Sequence, residues 1–171
     1  ILTLPQFFEF VKAHEREHPA QTPARFNIEI KVDETFTDAD LEASVKAMVQ
    51  AIRDAGVVSR TTVQSFRLEI LPRVLALESG LTISALFEPS YWAGFLMTVG
   101  LDADRDEILE RTREIGATII SPHHLYVTEA FVAKAHALQI KVIPWTVNLE
   151  DRMAELIGMG VDGLISDYPN R

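Results

Sequence analysis

The clearest chemistry in the sequence belongs to Glu29 and Lys31. They lie in Phe26-Asn27-Ile28-Glu29-Ile30-Lys31, which reads as a β-strand. In a strand successive side chains point to opposite faces, so Phe26, Ile28 and Ile30 share one face and Asn27, Glu29 and Lys31 the other. A glutamate at a strand end can be a ligand for a hard cation, because Mg2+ and Ca2+ prefer carboxylate oxygens. A lysine beside it can meet an anionic group such as phosphate. The plain alternative is an exposed Glu–Lys pair on an edge strand, worth little to stability.

Other residues could join that chemistry. Gln64 and Ser65 close a second predicted strand, with Phe66 behind them; Ser65 also suits a helix N-cap. Trp145, near the end of Val142-Ile143-Pro144-Trp145-Thr146-Val147-Asn148, could offer a flat apolar wall to a polyol or simply fill the core. His123 and His124 follow Pro122 and could act as acid, base or phosphate contact, or be structural. His14 and His18, four apart at a helix end before Pro19, read as solvated surface and not as a metal pair. The apolar run at residues 91–97 could form a lip over the site, touch lipid or pack on the body of the protein. Asp162 and Asp167 suit turns.

Such a site needs a frame, and the composition permits one. The chain has 171 residues, 47% hydrophobic and 24% charged, enough for a single domain spanning residues 1–171. Acidic residues outnumber basic ones 25 to 16, and the net charge of -9 argues against nucleic acid as a partner. There is no cysteine, so disulfide and thiolate chemistry are excluded; that suits cytoplasm and periplasm equally. No apolar run approaches the ~20 residues of a membrane helix. No signal peptide is visible, and a chain opening at Ile1 carries no information on one.

Along the chain, helix and strand patterns alternate. Thr3 and Gln6 form a predicted capping box ahead of Leu4, Phe7, Phe8 and Val11 at helical spacing. The strand at 26–31 follows. Thr37 caps a helix whose apolar stripe is Leu41, Val45, Met48, Val49 and Ile52, stopped at Gly56. Further strands are predicted at 61–65, 82–87, 117–120, 140–146 and 163–165. Helical patterns lie between them: one marked by Leu68, Leu71, Val74 and Leu75 and disturbed by Pro72, and others within 104–116, 128–138 and 149–158. Residues 88–103 read as a long irregular connection. This alternation predicts parallel strands with crossover helices. No glycine-rich fingerprint follows a strand, which leaves a dinucleotide-binding fold without support. Polar residues recurring at strand ends favour a (β/α)8 barrel with its site at the C-terminal face. About six units are present where a barrel needs eight, so the expectation is the later part of a barrel, preceded by two further strands.

Four motifs in order resemble the glycerophosphodiester phosphodiesterases: the 26–31 strand, Val63-Gln64-Ser65-Phe66, the Val142–Asn148 segment, and Gly160-Val161-Asp162-Gly163-Leu164-Ile165-Ser166-Asp167-Tyr168-Pro169. The opening Leu2-Thr3-Leu4-Pro5-Gln6-Phe7-Phe8 resembles the helix that precedes the E-I-K strand in that family. The resemblance implies a TIM barrel hydrolysing glycerophosphodiesters to an alcohol and sn-glycerol 3-phosphate with a divalent cation, Mg2+ or Ca2+. By position, Glu29 would be a metal ligand and Lys31 would sit by the phosphate. Trp145 would wall the glycerol pocket, and Gln64 and Ser65 would line it. The cation would polarise a phosphoryl oxygen. The family's general acid and base are histidines of H-R-G and H-D motifs, and another metal ligand is the Glu of E-N-T. None of these motifs occurs here, so they are expected in a preceding segment, and the 171 residues alone are expected to be inactive. The alternatives are a related phospholipase-type phosphodiesterase on a similar barrel and a non-catalytic barrel fragment binding a phosphorylated ligand.

Overall fold

The computed structural model describes residues 1–33, 35–90, 94, 104–168 and 170. The first helix, α1 (Leu4–Glu17), forms where its cap predicts. The Thr3 hydroxyl accepts from the Gln6 amide, and the Gln6 side chain returns to the Thr3 backbone. β1 (Phe26–Glu29) follows, then α2 (Asp38–Ala55), with the same reciprocal box between Thr37 and Asp40 and a left-handed Gly56 at its end. The remaining elements are β2 (Thr61–Ser65), α3 (Ile70–Leu77), β3 (Thr82–Phe87), α4 (Arg105–Glu114), β4 (Ile119–Pro122), α5 (Glu129–Ala137), β5 (Lys141–Val142) and α6 (Glu150–Gly158). Pro72 does not disturb α3 as its sequence position suggests. The helix starts at Ile70, so the proline falls in the first turn, where its missing N–H has no intrahelical acceptor to lose.

The five strands form one parallel sheet in the order β1-β2-β3-β4-β5. A doubly wound sheet reverses its strand order at a switch point; this one does not, so the chain winds as a barrel wall. The register sets Glu29 beside Gln64, and Gln64 beside Ser84. At the far edge, two expected strands are only partly regular. β5 is two residues long instead of seven because Pro144 has no N–H to give to the ladder. Its pairing with β4 nevertheless continues through Ile143 N–H to Ile120 O at 3.0 Å and Trp145 N–H to Pro122 O at 3.1 Å. The predicted strand at 163–165 is not a regular strand, yet Asp162 N–H reaches Val142 O and Ile165 N–H reaches Pro144 O, both at 2.9 Å. That segment is a sixth, irregular stave, so the chain forms part of a barrel.

The two faces of the sheet differ. Outward, Phe26, Val63, Ile83, Ala85 and Ile120 join one apolar cluster with Val49 and Ile52 of α2, Val74 of α3 and Phe131 of α5. Phe8 of α1 meets the Phe26 ring edge-on at 5.1 Å. Each large side chain sealed there contributes roughly 1.5–3 kcal/mol. Inward, the wall is polar. Asn27 Nδ2 donates to Gln64 Oε1 at 2.9 Å, and the Ser84 and Ser121 hydroxyls lie 2.9 Å apart. These pairings meet the requirement that buried polar atoms find partners.

Candidate active site

The inner face leads up to the C-terminal ends of the strands, and the predicted site residues gather there. Glu29 ends β1 and turns inward with Asn27. Lys31 stands two residues on, its Nζ 3.8 Å from Glu29 Oε2. The lysine head is 81% exposed and the glutamate 25%, so the pair faces an open space without being sealed in it. That space is a cavity of about 460 Å³ lined by Glu29, Ile30, Lys31, Ser65, Phe66 and Arg67, among others.

Ser65 lines this cavity and also braces its edge. Its side chain is fully buried. Its hydroxyl donates to Ile30 O at 3.0 Å and accepts from Arg67 N–H at 3.1 Å. It does not cap α3, which begins five residues later; it ties the end of β1 to the turn after β2 and so holds Lys31 in place. Gln64, beside Glu29 in register, has its amide oxygen engaged by Asn27.

Phe66 extends the wall. It is 45% exposed at the rim and meets the Trp145 ring edge-on, with centroids 5.4 Å apart. Trp145 is fixed by its indole N–H, which donates to Ser121 O at 2.8 Å. Beyond it stands His123, edge-on to Trp145 at 5.4 Å and stacked on His124 at 4.5 Å. The site therefore runs from a charged side (Glu29, Lys31, Arg67) across an aromatic wall (Phe66, Trp145) to an imidazole.

Burial lowers the pKa of the His123 ring, with Glu88 opposing. His124 is pushed down to about 4, by burial first and then by His123 and Arg152. Both rings are neutral at pH 7. The described residues bring no three acidic or histidine side chains together as a metal cluster. Glu29 is the carboxylate among the described residues that lines this cavity.

Other candidates lie elsewhere. His14 and His18 stack on each other at 4.1 Å at the exposed end of α1. That end lies at the opposite rim of the barrel, since neighbouring Glu15 pairs with Arg60 just before β2. Asp162 accepts from His136 and from Val142 N–H, which makes it a brace for the edge of β5. Asp167 accepts from the Asn148 side-chain amide at 2.9 Å. The apolar run at 91–97 lies, apart from Gly94, outside the described residues. Phe66 and Arg67 are the mouth residues that pattern reading leaves unassigned. Their one signal is position, directly after a strand end.

Comparison with known proteins bears on the family and the fold. The sequence model of the Glycerophosphoryl diester phosphodiesterase family matches residues 1–171. A provisionally named glycerophosphoryl diester phosphodiesterase from Silicibacter pomeroyi superposes with a TM-score of 0.77 at 23% identity, covering 98% of this chain and 53% of that one. A glycerophosphodiester phosphodiesterase from Parabacteroides distasonis gives 0.74 at 22% identity, with 98% and 60% covered. An Oleispira antarctica phosphodiesterase, solved in complex with the product sn-glycerol-3-phosphate, gives 0.72 at 20% identity, with 98% and 57% covered. No curated protein matches the sequence significantly. The chain thus spans little more than half the length of these structural relatives.

Proposed function

The chain belongs to the Glycerophosphoryl diester phosphodiesterase family, and from that premise we propose that the protein hydrolyses glycerophosphodiesters to an alcohol and sn-glycerol 3-phosphate. The observation that carries the proposal is the side-by-side placement of Glu29 and Lys31 at the mouth of the barrel, facing the cavity walled by Phe66. The product named for the Oleispira antarctica relative is of the matching class.

In this reading the ammonium of Lys31 offsets negative charge that grows on the phosphoryl oxygens. Its high exposure leaves it free to approach a ligand. Phe66 and Trp145 give the carbon side of the glycerol an apolar surface. Ser65 and the backbone of Ile30 keep the lysine over the cavity. A divalent cation, Mg2+ or Ca2+, would supply Lewis acidity toward the phosphoryl oxygen, and Glu29 is the residue of this chain suited to hold it. Glu29 alone would not complete the cation's coordination, and the proton transfers need an acid and a base besides Lys31.

The test is hydrolysis of glycerophosphocholine and glycerophosphoethanolamine by the full-length protein, with Glu29→Gln as comparison. We expect the variant to lose about 100- to 1,000-fold in turnover, the scale for removing a group aimed at transition-state charge, and to bind Mg2+ and Ca2+ more weakly by calorimetry. Near-normal turnover at saturating cation would remove Glu29 from the site. A wild-type protein inert toward both diesters would remove the activity.

A further inference from the structure

The imidazole at the far end of the aromatic wall has no part in the mechanism above, and its setting gives it one. We propose that His123 is a specificity-determining residue whose Nε2–H donates to a hydroxyl oxygen of the polyol half of the substrate. The inference rests on the phosphodiesterase reading and deepens it.

The ring is held in place before any ligand arrives. The His123 backbone N–H donates to Phe87 O at 2.8 Å, and its strand position bridges to Trp145. The ring lies between the His124 ring and the edge of Trp145. In the alternation of β4, Ile119 and Ser121 line the interior, and His123 is the next residue on that side. The wall proposed to take the glycerol is therefore the wall this ring touches.

Its proton is also placed. Leu125 N–H approaches His123 Nδ1 at 3.4 Å, so Nδ1 is the acceptor and the neutral ring carries its hydrogen on Nε2, the atom farther from the backbone. Among the described residues, Nε2 has no hydrogen-bond partner, and the one sealed side-chain atom without a partner is His124 Nδ1. The two histidines thus divide: the Nδ1 of His124 is sealed off, and His123 presents a donor. A neutral donor beside an aromatic face suits an uncharged hydroxyl oxygen better than a phosphate, which favours full positive charge. Burial keeps the ring in that neutral form.

Three substitutions in the full-length protein separate this role from a structural one. His123→Asn keeps an acceptor where Leu125 N–H needs it and removes the distal donor. His123→Gln carries an amide N–H out toward the Nε2 position. His123→Phe keeps the ring packing alone. Calorimetric titration with sn-glycerol 3-phosphate and, separately, inorganic phosphate gives the readout. Asn and Phe should weaken glycerol 3-phosphate about 3- to 10-fold, the value of one neutral hydrogen bond, with phosphate affinity unchanged and Gln restoring most of the loss. The KM for glycerophosphocholine should rise by the same factor with kcat nearly constant. Equal weakening of both ligands, no change in either, or identical behaviour of Asn and Gln would overturn the assignment. If the wild type binds glycerol 3-phosphate but hydrolyses no diester, the activity fails while His123 remains measurable. If it binds neither ligand, both fail.

Discussion

Outside the sheet, Val63, Ile83 and Ile120 are sealed with α2, α3 and α5. On its inner face hydrogen bonds cross the staves in two pairs, Asn27 with Gln64 and Ser84 with Ser121. One backbone serves both faces because side chains alternate along a strand. The outer face is held by a non-directional force that tolerates variation of shape. The inner face and its mouth depend on directed contacts, each with one geometry. Stability should therefore respond mainly to the outer wall and activity mainly to the mouth.

The largest expected effect lies on the outer wall. Phe8→Ala removes a ring that is 1% exposed and packed edge-on against Phe26. It should cost about 3–5 kcal/mol of folding stability, read as a lower denaturant midpoint. Whatever protein stays folded should keep wild-type affinity for glycerol 3-phosphate. An affinity loss in the folded fraction would join the two faces into one unit and break the comparison. Lys31→Ala is the converse. The side chain is 81% exposed and its ion pair among the described residues, with Glu29, is long at 3.8 Å, so the melting temperature should hold. Turnover should fall about 10- to 100-fold, in line with the ~1.5–3 kcal/mol of a charged hydrogen bond. A folded, fully active Lys31→Ala protein would show that the mouth does not use this charge.

Ser65→Ala sharpens the boundary, because this residue belongs to the buried structure and serves the mouth. Losing its hydroxyl frees the Arg67 N–H and one lone pair of Ile30 O. The expected cost is about 1 kcal/mol of stability, with a smaller drop in turnover than for Lys31→Ala. A turnover loss larger than that of Lys31→Ala would return Ser65 to the substrate.

The same division explains what the sequence discloses. The outer face is written in periodicity, so α1, α2 and the strand at 61–65 are legible, caps included. Glu29 and Lys31 are legible because a polar stripe on an otherwise apolar strand is conspicuous. The edge of the sheet is less so. Pro144 interrupts the ladder without ending the pairing, and the 162–165 segment pairs through isolated bonds that no alternation pattern encodes. The role of Ser65 is hidden as well. Its partners, Ile30 O and Arg67 N–H, are backbone groups, and backbone groups leave no mark in a sequence. Phe66 and Arg67 face the mouth only because of how the chain turns after β2.

The smallest expected effect concerns acid. His124 lies behind the aromatic wall with Nδ1 sealed and unpartnered among the described residues, and its pKa is lowered to about 4. Burial is the main cause; the neighbouring His123 and Arg152 add to it, and Glu155 opposes. The unfolded ring titrates near its ordinary 6.5. Between these two values the unfolded chain binds a proton that the folded one refuses, so stability rises with pH. The contribution of His124 is complete above about 6.5 and is lost as pH falls through about 4. His123, shifted in the same direction, adds to the slope. His124→Leu fills the volume with a group that cannot charge. The melting temperature of the wild type should fall more between pH 7 and pH 4 than that of this variant. The variant should also keep its affinity for glycerol 3-phosphate, since the donor facing the ligand is on His123. Equal acid sensitivity in the two proteins would move the titrating group elsewhere. A loss of affinity in His124→Leu would show that the ring stack transmits position to the mouth, and the line between wall and site would then run behind His124 and not in front of it.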